Sequence, residues 1–492
     1  MKVLFVVSEI YPVIKTGGLG DVAGALPVAL GELGVEVRVM LPAYPAVLDA
    51  VEDLGEAVSL GDPLGVGEIR LLVGRLPQSG ITVWLVHCPA LYDRPAGPYG
   101  DAVGRDWPDN HLRFALLARA AATVGDVGAL LDWRPDVLHA HDWHAGLVAA
   151  YLHFRAGRRP ATVMTIHNLA FQGNFPAVML EQVGLPPECF SIDGVEFHSQ
   201  LSFLKAGIRY SDRVTTVSPT YAREILTPAL GCGFDGILRQ RGAEFRGILN
   251  GIDYRAWDPA TDPLIARTYD AGHLARKAAN KQALAKRLGL EESPDGPLIG
   301  VVSRLTDQKG IDLVLGALPN LLAMGVRLAL VGSGDSSLEE AFKDAAVANP
   351  GRVGVWTGYD EPLAHQIQAG ADLLLVPSRF EPCGLTQLCA LRYGTVPVVR
   401  RTGGLADTVI DASRGKEGTG FVFEAPTSLA LSGAVSRAVE VYRKRTTWRA
   451  LQRRAMEQDF SWSRAAWEYL DLYRELAKGG ARRAASAARK RR

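Results

Sequence analysis

Short apolar runs rich in valine, isoleucine and leucine recur along the chain, and each is followed by a turn and then by a helical pattern. Because the runs are nearly continuous rather than alternating, they predict strands buried on both faces, as in parallel sheets covered by helices. In the first half these runs are KVLFVVSE, EVRVMLP, ITVWLVHC, DVLHAHD, ATVMTIHN and RVTTVS. In the second half they are LIGVVSR, RLALVGSG, RVGVWTG, DLLLVPS and VPVVRR. Two such series predict two doubly wound α/β domains.

A turn-rich segment separates the two series. It reads ILNGIDYRAWDPATDP, residues 248–263, and combines an Asn-Gly turn signal with crowded Asp, Pro and Trp residues. We therefore expect an N-terminal domain at residues 1–247 and a C-terminal domain at 248–458. A helix over 459–478 is expected to pack back on the N-terminal domain. Residues 479–492 are basic and lack apolar residues able to anchor them to a core, so a disordered tail is predicted.

Size, charge and cysteine usage narrow the function classes. The 492 residues are too many for one ordinary hydrophobic core and fit two or three domains. A formal net charge of +1 argues against nucleic acid or an anionic membrane as the main partner. No uncharged apolar stretch of the sequence is long enough to span a bilayer. The five cysteines are scattered without a CxxC pair, which fits a reducing cytoplasm and not a disulfide framework.

One glycine-rich phrase occurs twice, once in each predicted domain. KTGGLGDVA spans residues 15–23, and RTGGLADTV spans residues 401–409. Consecutive glycines let backbone N–H groups approach a phosphate, and a following helix adds the positive end of its dipole. Open α/β sheets bind ligands at the carboxyl ends of their strands, so two such sheets facing each other would form a cleft lined by both copies.

The glycines alone do not indicate a nucleotide cofactor. Residues 18–23 match the loose G-x-G-x-x-A dinucleotide pattern, but the second predicted strand ends in RVMLP, without the acid that would hold a ribose. Lys15 precedes the glycines, so the P-loop order is absent as well. Both differences argue against a hydride-transfer enzyme and against a P-loop NTPase.

Two loops of the second half carry charged side chains suited to an anionic sugar donor. GVVSRLTDQKG places Arg304 and Lys309 in one loop after a predicted strand. Such a pair suits a diphosphate, with Arg binding in a bidentate manner and Lys acting as a point charge, although two ordinary surface cations would look the same. VPSRFEPCGLTQL places Glu381 on a loop kinked by Pro and Gly. An acid there can bind hydroxyl groups or can simply interact with a helix macrodipole.

The segment HAHDWHAG raises the question of a metal site. It brings His139, His141, Asp142 and His144 close together in sequence. The H-E-x-x-H signature is missing, and no cysteine or distant acid completes a ligand set. We therefore expect no metal there, and favour hydrogen bonding to a polyhydroxylated ligand or to the protein core.

Two further segments add polar and aromatic groups. TIHNLAFQGNFP contributes His167, Asn168 and Gln172, and LYDRPAGPYG contributes Tyr92. Aromatic rings with polar tips suit the faces of sugars, although each could equally belong to the core.

Taken together, KTGGLGDV, HAHDWHAGL, TIHNLAFQG, SRLTDQKG, PSRFEPCGLTQL and RTGGLADTV resemble the motifs of bacterial glycogen synthases and plant starch synthases. The resemblance runs in order from about residue 1 to residue 470. It implies two Rossmann-like domains facing each other across a deep cleft, the GT-B fold. It also implies a retaining glucosyltransferase that moves glucose from ADP-glucose to the non-reducing end of an α-1,4-glucan such as glycogen, with no metal or other cofactor. The chain starts directly on its first strand without a transit peptide, which fits the bacterial form better than the plastid form.

The resemblance further implies roles for single residues. Arg304 and Lys309 would neutralise the diphosphate as it leaves. Glu381 would hold glucosyl hydroxyls. Asp142 and His167 would lie beside the glucose at the reacting face.

Binding roles extend to a larger set of positions. Donor binding is implied for Lys15, Gly17, Gly18, Gly20, Tyr359, Cys383, Gly384, Leu385 and Thr386, with Tyr359 against the adenine. Acceptor or sugar binding is expected of Tyr92, His144, Asn168 and Gln172. Many other retaining transferases carry an E-x₇-E pattern; here Cys389 stands at the second acidic position, so the group that holds the ribose is not identified.

Two alternatives stay open at this point. One is a non-catalytic glucan-binding relative, against which the presence of Lys15, Arg304, Lys309 and Glu381 argues. The other is a different GT-B enzyme, for example one that uses UDP-glucose. The residues alone do not separate ADP-glucose from UDP-glucose, and they carry no signal for oligomeric state or regulation.

Overall fold

A computed structural model describes residues 1–101, 103–126, 133–155, 157, 159–292 and 296–490. The chain divides into two compact units. The first comprises Met1–Leu249 with Trp462–Arg492, and the second comprises Asn250–Ser461. The boundaries expected from the sequence, after residues 247 and 458, lie a few residues from these positions.

The first unit is built on a twisted sheet that is parallel over most of its width. Its strands are β1 (Lys2–Val6), β2 (Glu36–Pro42), β3 (Glu52–Gly61), β4 (Ile69–Arg75), β5 (Thr82–His87), β6 (Val137–His141), β7 (Ala161–Ile166), β8 (Asn174–Pro176), β9 (Glu196–Phe197), β10 (Gln200–Ser202), β11 (Arg213–Thr216) and β12 (Phe245–Gly247). The main sheet has the order β12-β11-β7-β6-β1-β2-β5-β4-β3. Strand β4 is antiparallel to both of its neighbours, β3 and β5. Strands β8, β10 and β9 form a small separate antiparallel sheet.

Helices connect these strands and cover the sheet. They are α1 (Gly18–Glu32), α2 (Pro45–Ala50), α3 (Pro89–Tyr92), α4 (Asn110–Asp126), α5 (Leu147–His153), α6 (Met179–Gln182), α7 (Phe203–Tyr210), α8 (Pro219–Glu224) and α9 (Asp235–Arg241), with 3₁₀ turns at Trp143–Ala145, Pro187–Cys189 and Gly242–Glu244. The six strands predicted for this half are found, and each pairs in parallel with a neighbour. The predicted doubly wound fold is thus confirmed for the first unit. Strands β3 and β4 lie at one end of the main sheet and were not predicted; along β4, buried and exposed residues are mixed, so the apolar run is interrupted.

The second unit holds a fully parallel sheet. Its strands are β13 (Leu298–Val302), β14 (Arg327–Gly332), β15 (Val353–Thr357), β16 (Leu373–Val376), β17 (Val396–Arg400) and β18 (Phe421–Phe423). Its helices are α10 (Lys277–Arg287), α11 (Ile311–Ala323), α12 (Ser336–Ala348), α13 (Glu361–Gly370), α14 (Thr386–Arg392), α15 (Gly403–Thr408), α16 (Ser428–Arg443) and α17 (Arg445–Met456), with 3₁₀ turns at Leu274–Arg276 and Ala412–Arg414. The order β15-β14-β13-β16-β17-β18 is that of a doubly wound dinucleotide-binding fold, which confirms the prediction for this unit.

Strand order reverses once in each unit, and this reversal positions the candidate residues. In the first unit the chain leaves β1 on one side towards β2, and β6 lies on its other side. In the second unit β13 lies between β14 and β16 in the same way. Loops that leave such a pair of strands in opposite directions open a crevice at the carboxyl edge of the sheet, where ligands bind in folds of this type.

The chain ends in a long helix, α18 (Trp462–Lys490), that belongs to the first unit. Trp462, Tyr469, Tyr473 and Leu476 are buried in the hydrophobic core of that unit. The segment predicted to be disordered, residues 479–492, continues as helical backbone up to Lys490, and the last two residues lie outside the described part. The segment lacks apolar anchors, but alanine and arginine, which dominate it, are strong helix formers, and this explains the helical backbone.

Candidate functional site

An ion pair lies at the strand reversal of the second unit. Lys309 Nζ is 2.6 Å from Glu381 Oε2, with Lys309 in the loop after β13 and Glu381 in the loop after β16. Since β13 and β16 are adjacent and parallel, their carboxyl ends deliver both side chains to the same edge. Ser378 Oγ donates to the same carboxylate oxygen at 2.8 Å. The Glu381 side chain is 6% exposed, and the Lys309 side chain is 20% exposed.

This pair keeps hydrogen-bonding capacity for a ligand. A lysine ammonium has three donors, and one of those on Lys309 is used by Glu381. Within the described residues, no partner contacts Oε1 of Glu381. Arg304 precedes Lys309 in the same loop and is exposed, and its guanidinium has no partner in the described part of the chain. The loop therefore presents two cations at the edge of the sheet, and their binding to a diphosphate stays a prediction.

Residues 383–386 form the end of the loop from β16 and the first residue of α14. Gln387 Nε2 donates to the carbonyl oxygens of Cys383 at 3.0 Å and Gly384 at 2.8 Å. Gly384 has a φ of +71°, a region that favours glycine. Cys383 is buried, and burial raises the pKa of its thiol to about 12, so the side chain stays a neutral thiol. What this loop can offer a ligand is therefore its backbone.

The second copy of the repeated phrase packs directly on this loop. Gly403 has a φ of +44°, and a Cβ built on it would lie 1.8 Å from the carbonyl oxygen of Glu381. The Gly404 N–H donates to that same carbonyl at 3.1 Å. The glycines in this copy thus allow the backbone after β17 to touch the backbone after β16, which fixes the position of Glu381.

Tyr359 follows β15 at the far end of the same edge. Its side chain is 76% exposed, and its hydroxyl donates to Glu361 Oε2 at 3.1 Å. Trp356 nearby is also exposed. The resemblance implies that this exposed ring lies against the adenine, and that role stays a prediction.

In the first unit, the first copy of the phrase is held by a buried carboxylate. Glu9 Oε2 accepts the Thr16 N–H at 2.5 Å and the Thr16 hydroxyl at 2.6 Å. Glu9 is 2% exposed, and burial raises the pKa of its carboxyl group above the ordinary value. Lys15 next to it forms an ion pair of 2.7 Å with Asp21, in the first turn of α1.

The predicted glycines of this copy lie at the start of α1. Gly17 is the N-cap residue, and Gly18 and Gly20 are in the first turn. A Cβ on Gly20 would lie 3.2 Å from Lys15 Cγ, so the small residue lets the Lys15 stem pack on the helix. Lys15 and the glycines thus form one compact turn after β1, next to the end of β6.

Asp142 immediately follows β6 and has a strained backbone, with a φ of +54°. Its Oδ1 accepts the backbone N–H of His167 at 2.7 Å. Burial raises the pKa of Asp142 to about 7, against the lowering effect of its backbone hydrogen bonds. Strain at a non-glycine residue with a perturbed carboxyl group is typical of a functional site.

The histidines that raised the question of a metal are engaged with protein groups. His139 bonds Tyr473 OH at 2.7 Å and Thr165 Oγ1 at 2.6 Å, and His141 Nδ1 bonds His167 Nε2 at 2.9 Å. Burial lowers the pKa of His167 to about 3 and the pKa values of His139 and His141 well below the ordinary value, so all three rings are neutral. No group of three or more His, Cys, Asp and Glu side chains that could hold a metal ion occurs in the described part of the chain.

The expected sugar-binding residues differ in their placement. Tyr92 is fully buried, and its hydroxyl donates to the Arg113 carbonyl at 2.6 Å, so the structure places it in the core and not on a ligand surface. His144 is buried as well and stacks on Tyr99, with ring centroids 4.6 Å apart. Their apolar neighbours explain the difference, since an aromatic ring after a strand serves a core as readily as a sugar.

Asn168 and Gln172 lie on the half-buried loop after β7. Asn168 Oδ1 accepts the Ala170 N–H at 3.1 Å, and Gln172 Nε2 donates to the Cys232 carbonyl at 3.0 Å. Both amides stabilise the loop that begins at His167. Gln172 Oε1 also accepts from Asn174 Nδ2 at 2.9 Å, so both ends of the Gln172 amide are used, whereas no partner contacts the Asn168 amino group within the described residues.

Residues that hold the predicted site residues in place include three that were not predicted, Glu9, Ser378 and Gln387, and His141, for which hydrogen bonding to a ligand or to the core was expected. Glu9, Ser378, Gln387 and His141 each hold a predicted residue or loop through a hydrogen bond. All lie inside or beside the quoted motifs, but only the fold shows which polar groups they reach. Glu9 carried one usable signal: it is a charged residue that directly follows a buried strand.

Comparison with known proteins places these features in a family. The family described as Starch synthase catalytic domain matches residues 2–240, and the family described as Glycosyl transferases group 1 matches residues 284–454. Glycogen synthase of Paramagnetospirillum magneticum is 53% identical over 98% of both chains. Glycogen synthase of Rhodospirillum rubrum is 54% identical over 98% of this chain and 100% of its own. The chain belongs to the glycogen synthase family.

Solved structures agree with membership of the glycogen synthase family. The catalytic domain of starch synthase IV from Arabidopsis thaliana, bound to ADP and acarbose, matches 97% of this chain and 99% of its own, with 34% identity and a TM-score of 0.88. Sucrose-phosphate synthase from Thermosynechococcus elongatus shares the fold, at 19% identity and a TM-score of 0.59. As a member of the glycogen synthase family, the chain is a glycosyltransferase. No helix in the described part is long and apolar enough to cross a membrane.

Proposed function

We propose that this glycosyltransferase transfers glucose from ADP-glucose to the non-reducing end of an α-1,4-glucan, with retention of configuration, and so elongates glycogen. The observation that carries the proposal is the Lys309–Glu381 pair at the strand reversal of the second unit, with Arg304 exposed in the same loop. ADP in the starch synthase IV structure supports an adenine nucleotide as the donor. The cytoplasm, expected from five scattered cysteines that are all free, is the proposed compartment.

The chemistry of the step explains why cations are needed. When the bond between glucose and the diphosphate breaks, positive charge develops at the anomeric carbon and negative charge on the leaving diphosphate. Arg304 and the free donors of Lys309 would stabilise that negative charge, and such preorganised groups usually supply the largest catalytic contribution. Glu381 would hold glucosyl hydroxyls through its remaining oxygen.

Retention of configuration fits a front-face route in which the diphosphate leaves and the acceptor hydroxyl attacks on the same side. A double-displacement route needs a free carboxylate as nucleophile. Asp142 and Glu381, the acids predicted at the site, both already accept hydrogen bonds: Asp142 from the His167 backbone, and Glu381 from Lys309 and Ser378. These hydrogen bonds suit both acids to holding backbone or substrate groups, and we propose neither of them as the nucleophile.

Glucose transfer measured with two donors in parallel tests the function. Purified protein is incubated with glycogen and either ADP-[¹⁴C]glucose or UDP-[¹⁴C]glucose, and radioactivity in precipitated glucan is counted. We expect incorporation from ADP-glucose that greatly exceeds that from UDP-glucose, and complete digestion of the product by an enzyme specific for α-1,4 bonds. Preferred use of UDP-glucose would replace the donor proposal, and no incorporation from either donor would overturn the function.

A further inference from the structure

Three histidines of the first unit lie next to one another in a row: His139, His141 and His167. His139 and His141 alternate along β6 and are fully buried, with ring centroids 4.1 Å apart. His167, at the end of β7, is half-buried and is bonded to His141 across adjacent parallel strands. The family resemblance implies that His167 lies at the reacting face, but it implies no role for His141.

Either ring can donate the hydrogen bond that joins His141 and His167. The burial of His141 shows which of the two arrangements is favoured. Both rings are neutral, so either His141 Nδ1–H donates to His167 Nε2 or His167 Nε2–H donates to His141 Nδ1. In the second arrangement the proton of His141 would sit on Nε2. That atom is buried and has no hydrogen-bond partner within the described part of the chain.

An orphaned buried N–H is rarer in proteins than an orphaned acceptor. The first arrangement leaves His141 Nε2 as an unprotonated acceptor and so avoids the orphaned donor. It forces His167 to carry its proton on Nδ1, because its Nε2 accepts from His141. His167 Nδ1 has no partner in the described part of the chain, so its N–H is available to a ligand.

We propose that His141 is a positioning residue that fixes His167 in the Nδ1–H tautomer, so that His167 presents a hydrogen-bond donor and not an acceptor to the sugar. The donor would bind a sugar hydroxyl or ring oxygen beside the anomeric carbon. This role of His167 rests on the proposed function, whereas the tautomer itself does not.

The residues behind His141 hold it in the orientation this role needs. His139 stacks on it and is itself fixed at both ring nitrogens by Tyr473 and Thr165. Phe5 on β1 packs against both imidazoles, with centroid distances of 4.8 and 4.9 Å. The His141 ring therefore has little freedom to rotate away from His167.

The tautomer can be measured directly and without substrate. In protein labelled with [¹⁵N]histidine, long-range ¹H–¹⁵N correlation spectra distinguish protonated from unprotonated ring nitrogens, and a His167→Gln sample assigns the His167 signals. We expect His167 to be protonated on Nδ1 alone in the native protein. Protonation on Nε2, or a mixture of tautomers, would overturn the proposal whether or not the protein transfers glucose.

Variants at His141 test the consequence. His141→Phe removes the donor, and we expect a mixture of His167 tautomers and a kcat roughly ten- to a hundred-fold lower, with KM for both substrates nearly unchanged. His141→Asn retains an amide N–H and should recover part of kcat and of the Nδ1–H population. His153→Asn, on the exposed end of α5, is the matched control and should leave both readouts unchanged.

The outcomes separate this proposal from a purely structural role. If His141→Phe unfolds the protein, the native spectrum and the His141→Asn variant still decide. A folded His141→Phe variant with the native tautomer and native kcat would show that His141 does not position His167. Lack of glucose transfer by the native protein, with the Nδ1–H tautomer present, would instead refute the proposed function alone.

Discussion

Folding raises the pKa of Asp142 at the candidate site. Its pKa rises from 3.8 to about 7 because the carboxyl group is buried after β6. At a pH between these two values, the Asp142 carboxyl group is ionised in the unfolded chain but keeps its proton in the folded protein. The free energy of unfolding therefore falls as the pH rises through this window, since the folded state binds more protons.

Asp142→Asn should remove that pH dependence, because an amide does not titrate there and its oxygen can still accept the His167 N–H. We compare the free energy of unfolding of the variant with that of the native protein. As the pH is raised from 5 to 8, we expect this difference to shift by about 2 to 3 kcal/mol in favour of the variant. Urea denaturation at both pH values measures this difference. Asp93→Asn, which removes the same charge from an exposed position, is the control. A relative stability of Asp142→Asn that does not change with pH would contradict the raised pKa.

Lys309 and Arg304 provide a second prediction at the scale of single residues. If both neutralise a leaving diphosphate, replacing either with Ala removes a donor that acts mainly in the transition state. We expect kcat to fall by about 10²–10³, roughly 3–4 kcal/mol, with little change in KM for glycogen. Arg304→Lys should recover only part of the loss, since a point charge does not reproduce bidentate binding.

Controls are needed because Lys309 is also the ion-pair partner of a buried acid. Lys309→Ala alone leaves the Glu381 carboxylate without this partner, so the double variant with Glu381→Gln removes that complication. Lys343→Ala deletes an exposed cation from α12 and should retain native kcat. Native kcat in both Ala variants would show that these two cations are ordinary surface charges.

At the scale of elements, the two copies of the repeated phrase both start a helix, but different hydrogen bonds hold them in place. Each copy begins a helix in the connection that follows a parallel strand: α1 begins at Gly18 after the long loop from β1, and α15 begins at Gly403 after the short loop from β17. In the first copy a buried side chain, Glu9, holds the Thr16 backbone and hydroxyl. In the second copy a backbone carbonyl, that of Glu381, accepts the Gly404 N–H. The sequence similarity thus reflects a shared strand-to-helix geometry and not a shared set of contacts.

The second copy therefore predicts a strong effect of a single methyl group. Gly403→Ala would place Cβ 1.8 Å from the Glu381 carbonyl oxygen at a φ of +44°. Backbone strain of this kind costs about 1–3 kcal/mol by itself, and the clash would displace Glu381. We expect lower stability and a large loss of glucose transfer, measured by urea denaturation and by the labelled-donor assay.

A matched glycine shows whether the close approach is the cause. Gly433 lies on the exposed face of α16, and no atom lies within 4 Å of a Cβ built there. Gly433→Ala should be neutral or stabilising by up to about 1 kcal/mol, because Ala is the better helix former. Equal losses from the two substitutions would contradict the packing argument.

At the scale of the whole molecule, the chain returns to its first unit after completing the second. Trp462, Tyr469, Tyr473 and Leu476 of α18 are buried in the core of the first unit, and Tyr473 also bonds His139. The first unit is therefore not complete until almost the entire chain has been synthesised. Its stability depends on residues that are distant in sequence.

Two truncations separate the anchored part of α18 from the rest. Removing residues 479–492 should leave glucose transfer and thermal stability unchanged, because the buried apolar side chains of α18 end at Leu476 in the described part. Removing residues 462–492 should uncover the core of the first unit and cause aggregation or loss of its cooperative unfolding. Calorimetry and the transfer assay measure both. Activity lost on the shorter truncation would mean that the basic end contacts a substrate or a partner.

Local pattern was sufficient for much of the architecture. Near-continuous apolar runs predicted the parallel strands, because a strand buried on both faces must be apolar throughout. Fixed loop positions predicted Arg304, Lys309 and Glu381 at one edge, because the carboxyl ends of parallel strands meet there. Strands β3 and β4, at one end of the main sheet, escaped prediction because their apolar runs are interrupted. The helical end of the chain escaped prediction because helix propensity is its only signal.

What the sequence by itself determined is most of the parallel strands, the doubly wound class and the motifs that mark the family. Tertiary structure decided which polar groups those motifs engage. Tyr92 and His144 turned inwards because apolar neighbours from distant elements surround them. Glu9, His141 and Ser378 hold other site residues because the fold or the geometry of a loop brings their hydrogen-bond partners close to them. Hydrogen bonds and pKa shifts depend on distance and burial in space, and neither quantity can be read from the order of residues along the chain.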